Sequence, residues 1–195
     1  MKKIKSVCVY CASSSKINPR YFEAARETGR LLAQNGMRCV CGAGNQGLMG
    51  TLADSVLKNG GEVLGVIPRF MIDEGWCHKG LTETIVTADM HERKERMAQE
   101  ADAVIALPGG CGTMEELFEI ITWKQLGLYL NPIIILNING FFDPLLQMLE
   151  RAIEENFMRQ QHGDIWKVAQ TPEEAVELLQ TTPVWDASIR KFAAI

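Results

Sequence analysis

Short apolar runs alternate with longer amphipathic stretches along the whole chain, and that alternation limits the available folds more than any other feature. The runs fall at Ser6–Tyr10, Arg38–Cys41, Glu62–Ile67, Glu83–Thr87, Ala103–Leu107, Pro132–Leu136 and Ile165–Ala169. Between them, helical periodicity predicts helices over roughly Pro19–Gln34, Gly47–Lys58, Asp89–Ala101, Thr113–Leu126, Asp143–Asn156 and Pro172–Leu179. The strand candidates are nearly continuous in apolar residues, as strands covered on both faces are. The expected class is therefore α/β, a parallel sheet of about seven strands flanked by helices on both faces. No repeat, low-complexity stretch or linker divides the 195 residues, so 1–195 is expected to form one domain with its own core. The tail after Pro183, from Val184 and Trp185 to Ile195, carries no readable pattern.

A hydrophobic share of 47% with 23% charged residues sets aside disordered, collagen-like and coiled-coil readings. The formal net charge of −4 argues against a nucleic-acid partner, since binding a phosphate backbone takes clustered positive charge. Met1-Lys2-Lys3-Ile4-Lys5 before Val7–Cys11 looks like the opening of a secretory signal, but Ser13-Ser14-Ser15-Lys16 interrupts the apolar stretch at once. A basic leader into a first strand is the reading adopted, and no segment approaches the ~20 apolar residues of a membrane span. Six cysteines are present, with Cys8 and Cys11 in a C-x-x-C. Three residues apart on a strand point to opposite faces, so this pair cannot chelate a metal together. His78, His91 and His162 are scattered. Reduced thiols in a cytoplasmic protein without a metal site are expected.

In open α/β sheets ligands sit outside the carboxyl ends of the strands, so the loops following the strands are the places to search. Cys41–Gly50 contains a literal G-x-G-x-x-G from Gly42 to Gly47, with Gly44 and Asn45 inside it. Glu62, about 20 positions after Gly42, is available as a ribose ligand for a dinucleotide. The fingerprint normally follows the first strand, however, and this one follows the second. Four glycines in this loop exceed what one turn requires, and anion binding by bare backbone N–H groups is the reading adopted.

The second loop, Pro108-Gly109-Gly110-Cys111-Gly112-Thr113, opens another helix with Thr113 at the expected N-cap. Thr113-x-x-Glu116 is at once a capping box and a place for a catalytic carboxylate, and spacing leaves both open. Glu115 and Glu119 read as a solvated rim. A third segment, Ala88–Met97, opens with a capping pair, Asp89-x-x-Glu92. It then sets Met90, Arg93, Lys94 and Met97 on one helical face. Two cations in a methionine stripe call for an anion beneath them or for snorkelling side chains. Ser13 and Ser14 add hydroxyls after the first strand.

Three motifs, Gly44-x-x-Gly47-Leu48-Met49-Gly50, Met90-His91-x-Arg93-Lys94 and Pro108-Gly109-Gly110-x-Gly112-Thr113-x-x-Glu116, occur in this order. In this the chain resembles the LONELY GUY (LOG) family of cytokinin riboside 5′-monophosphate phosphoribohydrolases, often labelled lysine decarboxylases. The resemblance runs from Ser6 to about Asn139 and includes Ile67-Pro68 and Ile121-Thr122-Trp123. It implies a Rossmann-like domain that cleaves an adenosine or N6-substituted adenosine 5′-monophosphate to free base and ribose 5-phosphate, with no metal or cofactor. Arg93 and Glu116 match the catalytic pair. Met90, Lys94 and Gly110–Thr113, with Gly109 before them, match nucleotide-contacting positions, as does Thr122.

The chain departs from the family pattern at Ala43, where glycine is usual, at Cys111, where an aromatic residue is common, and over Phe70–Gly80. There Glu74 is a candidate acidic contact to the base. A pyridoxal phosphate decarboxylase would need a Schiff-base lysine and a pyridinium partner, and beyond Lys94 nothing in the sequence supports one. The helix Thr113–Leu126 is apolar on more than one side, which, with the resemblance, predicts a homodimer. Two other readings remain: a non-catalytic nucleotide or cofactor carrier on the same scaffold, and a nicotinamide-dependent oxidoreductase built on Gly42–Gly47.

Overall fold

The computed structural model describes residues 3–186 and 188; the first two residues of the basic leader, residue 187 and the tail from 189 on lie outside the described residues. The strands are β1 (Ser6–Tyr10), β2 (Arg38–Cys41), β3 (Val63–Pro68), β4 (Glu83–Thr87), β5 (Ala103–Ala106), β6 (Ile133–Leu136) and β7 (Lys167–Ala169). They form one parallel sheet in the order β4-β3-β2-β1-β5-β6-β7. The helices are α1 (Pro19–Gln34), α2 (Gly47–Lys58), α3 (Arg69–Asp73), α4 (Met90–Gln99), α5 (Cys111–Gln125), α6 (Asp143–Glu154) and α7 (Pro172–Thr181). All seven expected strands are present. The run Ile165–Ala169 is strand only from Lys167, because Ile165 and Trp166 are buried as core residues after a 3-10 turn (Gln160–Asp164). α3 is an addition the periodicity did not suggest.

The sheet buries both faces, and its strands divide their side chains between two cores. Val7 and Val9 of β1 join Leu32 of α1 and Leu48 and Leu52 of α2 on one side. Cys8 and Tyr10 join Met97 of α4 and Leu117 and Ile120 of α5 on the other. Cys8 and Cys11 thus face opposite layers, as their spacing dictates, and all six cysteines are free. Register is fixed by pairs such as Val7↔Cys39 and Val9↔Ile105; a slip of one residue would exchange the two cores.

Chain order runs outward from β1 in both directions, to β2 on one side and β5 on the other. This reversal opens a crevice at the carboxyl ends of β1 and β5, where the loops after the strands meet.

Candidate active site

The first glycine loop is fastened on both sides. Gly47 opens α2 with φ +61°, and a Cβ there would stand 2.4 Å from the Ser13 carbonyl carbon. That close approach lets the amides of Leu48 and Met49 donate to the Ala12 carbonyl, at 2.9 and 3.3 Å. Two of the first N–H groups of α2, those of Leu48 and Met49, are therefore engaged by the loop after β1. On its other side, the Asn45 amide donates to Trp76 O and its Nδ2 to Gly75 O, both at 3.0 Å. His78 N donates to Ala43 O at 2.9 Å, and Gly44 and Cys77 form an antiparallel bridge. Ala43, buried, sits at φ +59°, in the left-handed region where an L-residue is strained. Glu62 lies at the opposite, amino-terminal end of β3, its carbonyl bonded to Cys39 N. The literal fingerprint thus lacks its acidic ribose ligand.

The second loop is bare. Gly110, not Thr113, is the N-cap of α5, and no side chain caps it. Thr113 lies inside the first turn, buried against Gly109, where a Cβ would come within 2.1 Å of its Oγ1. The capping box is absent because Glu116 turns to Arg93. The first helical bond runs from Met114 N–H to Gly110 O at 3.0 Å, which leaves the amides of Cys111, Gly112 and Thr113 without intrahelical acceptors. Nothing lies within 4 Å of a Cβ built on Gly110 or Gly112. The positive end of a helix of 15 residues therefore faces open space.

α4 begins as its capping pair predicts: Asp89 accepts from His91 N and Glu92 N at 2.8 and 2.9 Å. This start turns Arg93, Lys94 and Met97 inward. Arg93 donates through Nε to Val66 O of β3 (3.1 Å), through Nη2 to Gly42 O (3.4 Å) and through Nη1 to Glu116 Oε1 (2.9 Å). The side chains of Arg93 and Glu116 are 7% and 11% exposed, which makes this a nearly buried ion pair whose arginine is also held by the carbonyls of Val66 and Gly42. Burial raises the Glu116 pKa above the usual carboxylate value, although Arg93 opposes the shift.

Lys94 Nζ bonds Glu115 and Glu119 at 2.9 and 3.2 Å. The hydrogen bond to Glu115 raises the lysine's pKa and lowers the carboxyl's. Glu115 and Glu119 are thus partners of Lys94 rather than a merely solvated rim. Carboxylates, where the sequence suggested a substrate anion, satisfy both cations.

Two neighbouring hollows of ≈ 350 and ≈ 320 Å³ share walls at Ser13, Gly42, Met49, Met71 and Arg93. The first holds Met90, Lys94 and Glu116 together with the Gly110–Thr113 turn. Gly44 and Asn45 line the second. Gly47 and Gly109 lie behind these walls and shape the loops. Two expected residues are not brought to the cleft. Glu74 is the exposed C-cap of α3, and Thr122 is exposed on α5 with its hydroxyl donated to Phe118 O. Ile67, Met49, Met71 and Trp76 were missed as lining. The signal available for the last two was apolar bulk in Phe70–Gly80, a segment that also carries Asp73, Glu74, His78 and Lys79. Among the described residues no group of three or more His, Cys, Asp or Glu is placed to hold a metal ion.

Fold and site together define a Rossmann-like α/β protein whose switch-point cleft sets an uncapped helix N-terminus beside a buried arginine–glutamate pair. A family model described as "possible lysine decarboxylase" matches residues 49–179. The cytokinin riboside 5′-monophosphate phosphoribohydrolase LOG5 of Arabidopsis thaliana is 40% identical over 190 residues, covering 97% of this chain and 83% of that protein. LOG7 of the same plant is 44% identical over 156 residues, 80% of this chain and 72% of its own. The chain belongs to the LOG family. A molybdenum cofactor binding protein from Rippkaea orientalis superposes with a TM-score of 0.69 over 93% of this chain and 98% of its own, at 22% identity; that likeness concerns the fold.

Proposed function

We propose that this chain hydrolyses the N-glycosidic bond of an adenosine 5′-monophosphate, plain or N6-substituted, to free base and ribose 5-phosphate. The observation that carries the reading is the buried Arg93–Glu116 pair beside the uncapped start of α5. Unpaired amides at a helix N-terminus suit a phosphate dianion. With the phosphate there, the ribose lies over Glu116, whose Oε2 has no protein partner among the described residues. Cleavage passes through an oxocarbenium-like state, which a carboxylate stabilises or serves by activating water. Water adds its hydroxyl at C1′ as the bond to the base breaks, and its remaining proton passes through solvent to the departing base. Arg93 fixes the carboxylate's orientation and keeps donors toward the sugar.

The relatives' names support the same reaction. A Schiff-base lysine needs a depressed pKa, whereas Lys94 is shifted the other way, which counts against decarboxylation. A second copy of the chain completes the reading as a homodimer: Phe118 and Leu126 on and just after α5 are 41% and 42% exposed, and Leu128 is 64% exposed. The nucleotide is the expected partner, with no nucleic acid or membrane, in the cytoplasm. No described helix is long and apolar enough to cross a membrane.

The test is chromatographic detection of free adenine from AMP and of free base from isopentenyladenosine monophosphate. Glu116→Gln and Arg93→Ala are each expected to lose at least about a hundredfold in rate with folding intact. Binding without base release by the wild type would turn the reading toward a carrier. Sedimentation as a monomer at micromolar concentration would remove the dimer.

A further inference from the structure

Past Arg93 the cleft changes character. Ile67 at the end of β3, Met49 of α2, Met71 of α3 and the indole of Trp76 form the second hollow, and Arg93 is its sole charged lining side chain among the described residues. Trp76 is 49% exposed, so a large apolar ring stands half in water at the edge of a ligand-sized space. Its backbone, by contrast, is pinned at both ends. Trp76 N–H donates to Met71 O at 3.0 Å, and its carbonyl accepts from Asn45 N–H at 3.0 Å, while the Asn45 side chain holds Gly75 O. A fixed main chain carrying a free aromatic face is a preorganised stacking surface. Met49 and Met71, which line the same hollow, adapt to ligands of varied shape.

We infer that Trp76 is the specificity-determining residue for the base, its ring covering an apolar substituent on N6 of the purine, with Asn45 as the positioning residue that holds it. The inference rests on the phosphoribohydrolase reading and deepens it. With the phosphate at α5 in the first hollow, Arg93 and Gly42 as common walls direct the base into the second. Plain adenine leaves the indole half-covered; an isopentenyl group fills the space between it and Met71. Glu74, the acidic candidate in this segment, points to solvent and plays no part in the choice.

The experiment compares AMP with isopentenyladenosine monophosphate in steady-state turnover by wild type, Trp76→Ala, Trp76→Phe and Asn45→Ala. Trp76→Ala is expected to lower kcat/KM for the isopentenyl nucleotide about tenfold more than for AMP, mainly through KM. Trp76→Phe restores most of the ratio, and Asn45→Ala shifts it in the same direction by a smaller factor. Equal losses on both nucleotides, or an unchanged ratio, overturn the assignment. Calorimetric dissociation constants for both nucleotides, measured in Glu116→Gln protein with and without Trp76→Ala, separate this inference from the reaction. If wild type releases no base, the hydrolase reading fails, and the ratio of the two constants alone judges Trp76. If Trp76→Ala loses its circular-dichroism spectrum, Trp76→Gln, which removes the ring but keeps a long side chain, is measured in its place with the same expected and overturning ratios.

Discussion

The two glycine loops look alike in sequence and do opposite work. Each follows a strand of the sheet's centre and opens a helix on glycine-rich backbone. In the loop after β2 the glycines let protein approach protein: Gly47 admits the Ser13 backbone and Gly42 the Arg93 guanidinium. The α2 amides that result are already bonded to Ala12. In the loop after β5 the glycines at 110 and 112 admit nothing, and the α5 amides face the cleft. Glycine content therefore reports close approach, and the hydrogen-bond inventory decides whether the approaching group is the chain itself or a ligand.

Substitutions divide the two loops most clearly. Gly47→Ala forces a Cβ into backbone at positive φ and is expected to cost about 3 kcal/mol, a Tm loss on the order of 10 °C by calorimetry. A near-native Tm would mean that the fastening is loose. Gly42→Ala meets chiefly the far end of one flexible side chain, with Arg93 Nη2 1.9 Å from the new Cβ. Stability should change little, while the displaced guanidinium costs base release about a hundredfold. Gly112→Ala, with open space around it, should leave Tm intact and raise KM for the nucleotide about tenfold by standing before the α5 amides. An unchanged KM would locate the phosphate elsewhere.

Smaller effects sharpen the same contrast. Because burial holds the Glu116 pKa above its ordinary value against the pull of Arg93, the ionised carboxylate is lost as pH falls through that raised value. The acid limb of kcat/KM should then lie above the ordinary glutamate titration near 4.3. Arg93→Gln removes the lowering charge, so carbon NMR should find the Glu116 titration moved further up. A downward move would contradict the assigned pairing. The smallest change is Ala43→Gly, which relieves left-handed strain of about 1 kcal/mol against the added chain entropy of glycine. A net stabilisation below ~1 kcal/mol is expected from denaturant midpoints.

The sheet was legible because continuous apolar strands and amphipathic helices are local signals. Asp89 capping α4 was legible for the same reason. What escaped depends on residues far apart in the chain. Thr113-x-x-Glu116 has every local property of a capping box, yet Arg93, 23 positions away, takes the glutamate, and Gly109 draws the threonine into the turn. Glu115 and Glu119 look solvated until Lys94 of another helix reaches them. The Ala12 carbonyl that occupies the α2 amides belongs to a loop with no motif of its own. Glu74 has the charge of a base contact, but the short helix α3 turns it outward and brings Met71 to the cleft instead. A helix of 5 residues is too brief to leave a periodic trace.

The stitching of Gly75–His78 to the first glycine loop has an evolutionary consequence. On its own side that segment is attached through main-chain atoms, the carbonyls of Gly75 and Trp76 and the amide of His78. Attachment by backbone is blind to side-chain identity, so position 76 can mutate widely without unfastening the wall that carries it. The Arg93–Glu116 pair has no such freedom, since it is joined side chain to side chain. On the function and the role of Trp76 proposed above, a lineage of such proteins changes the base it accepts by single steps at one ring while the buried ion pair stays fixed.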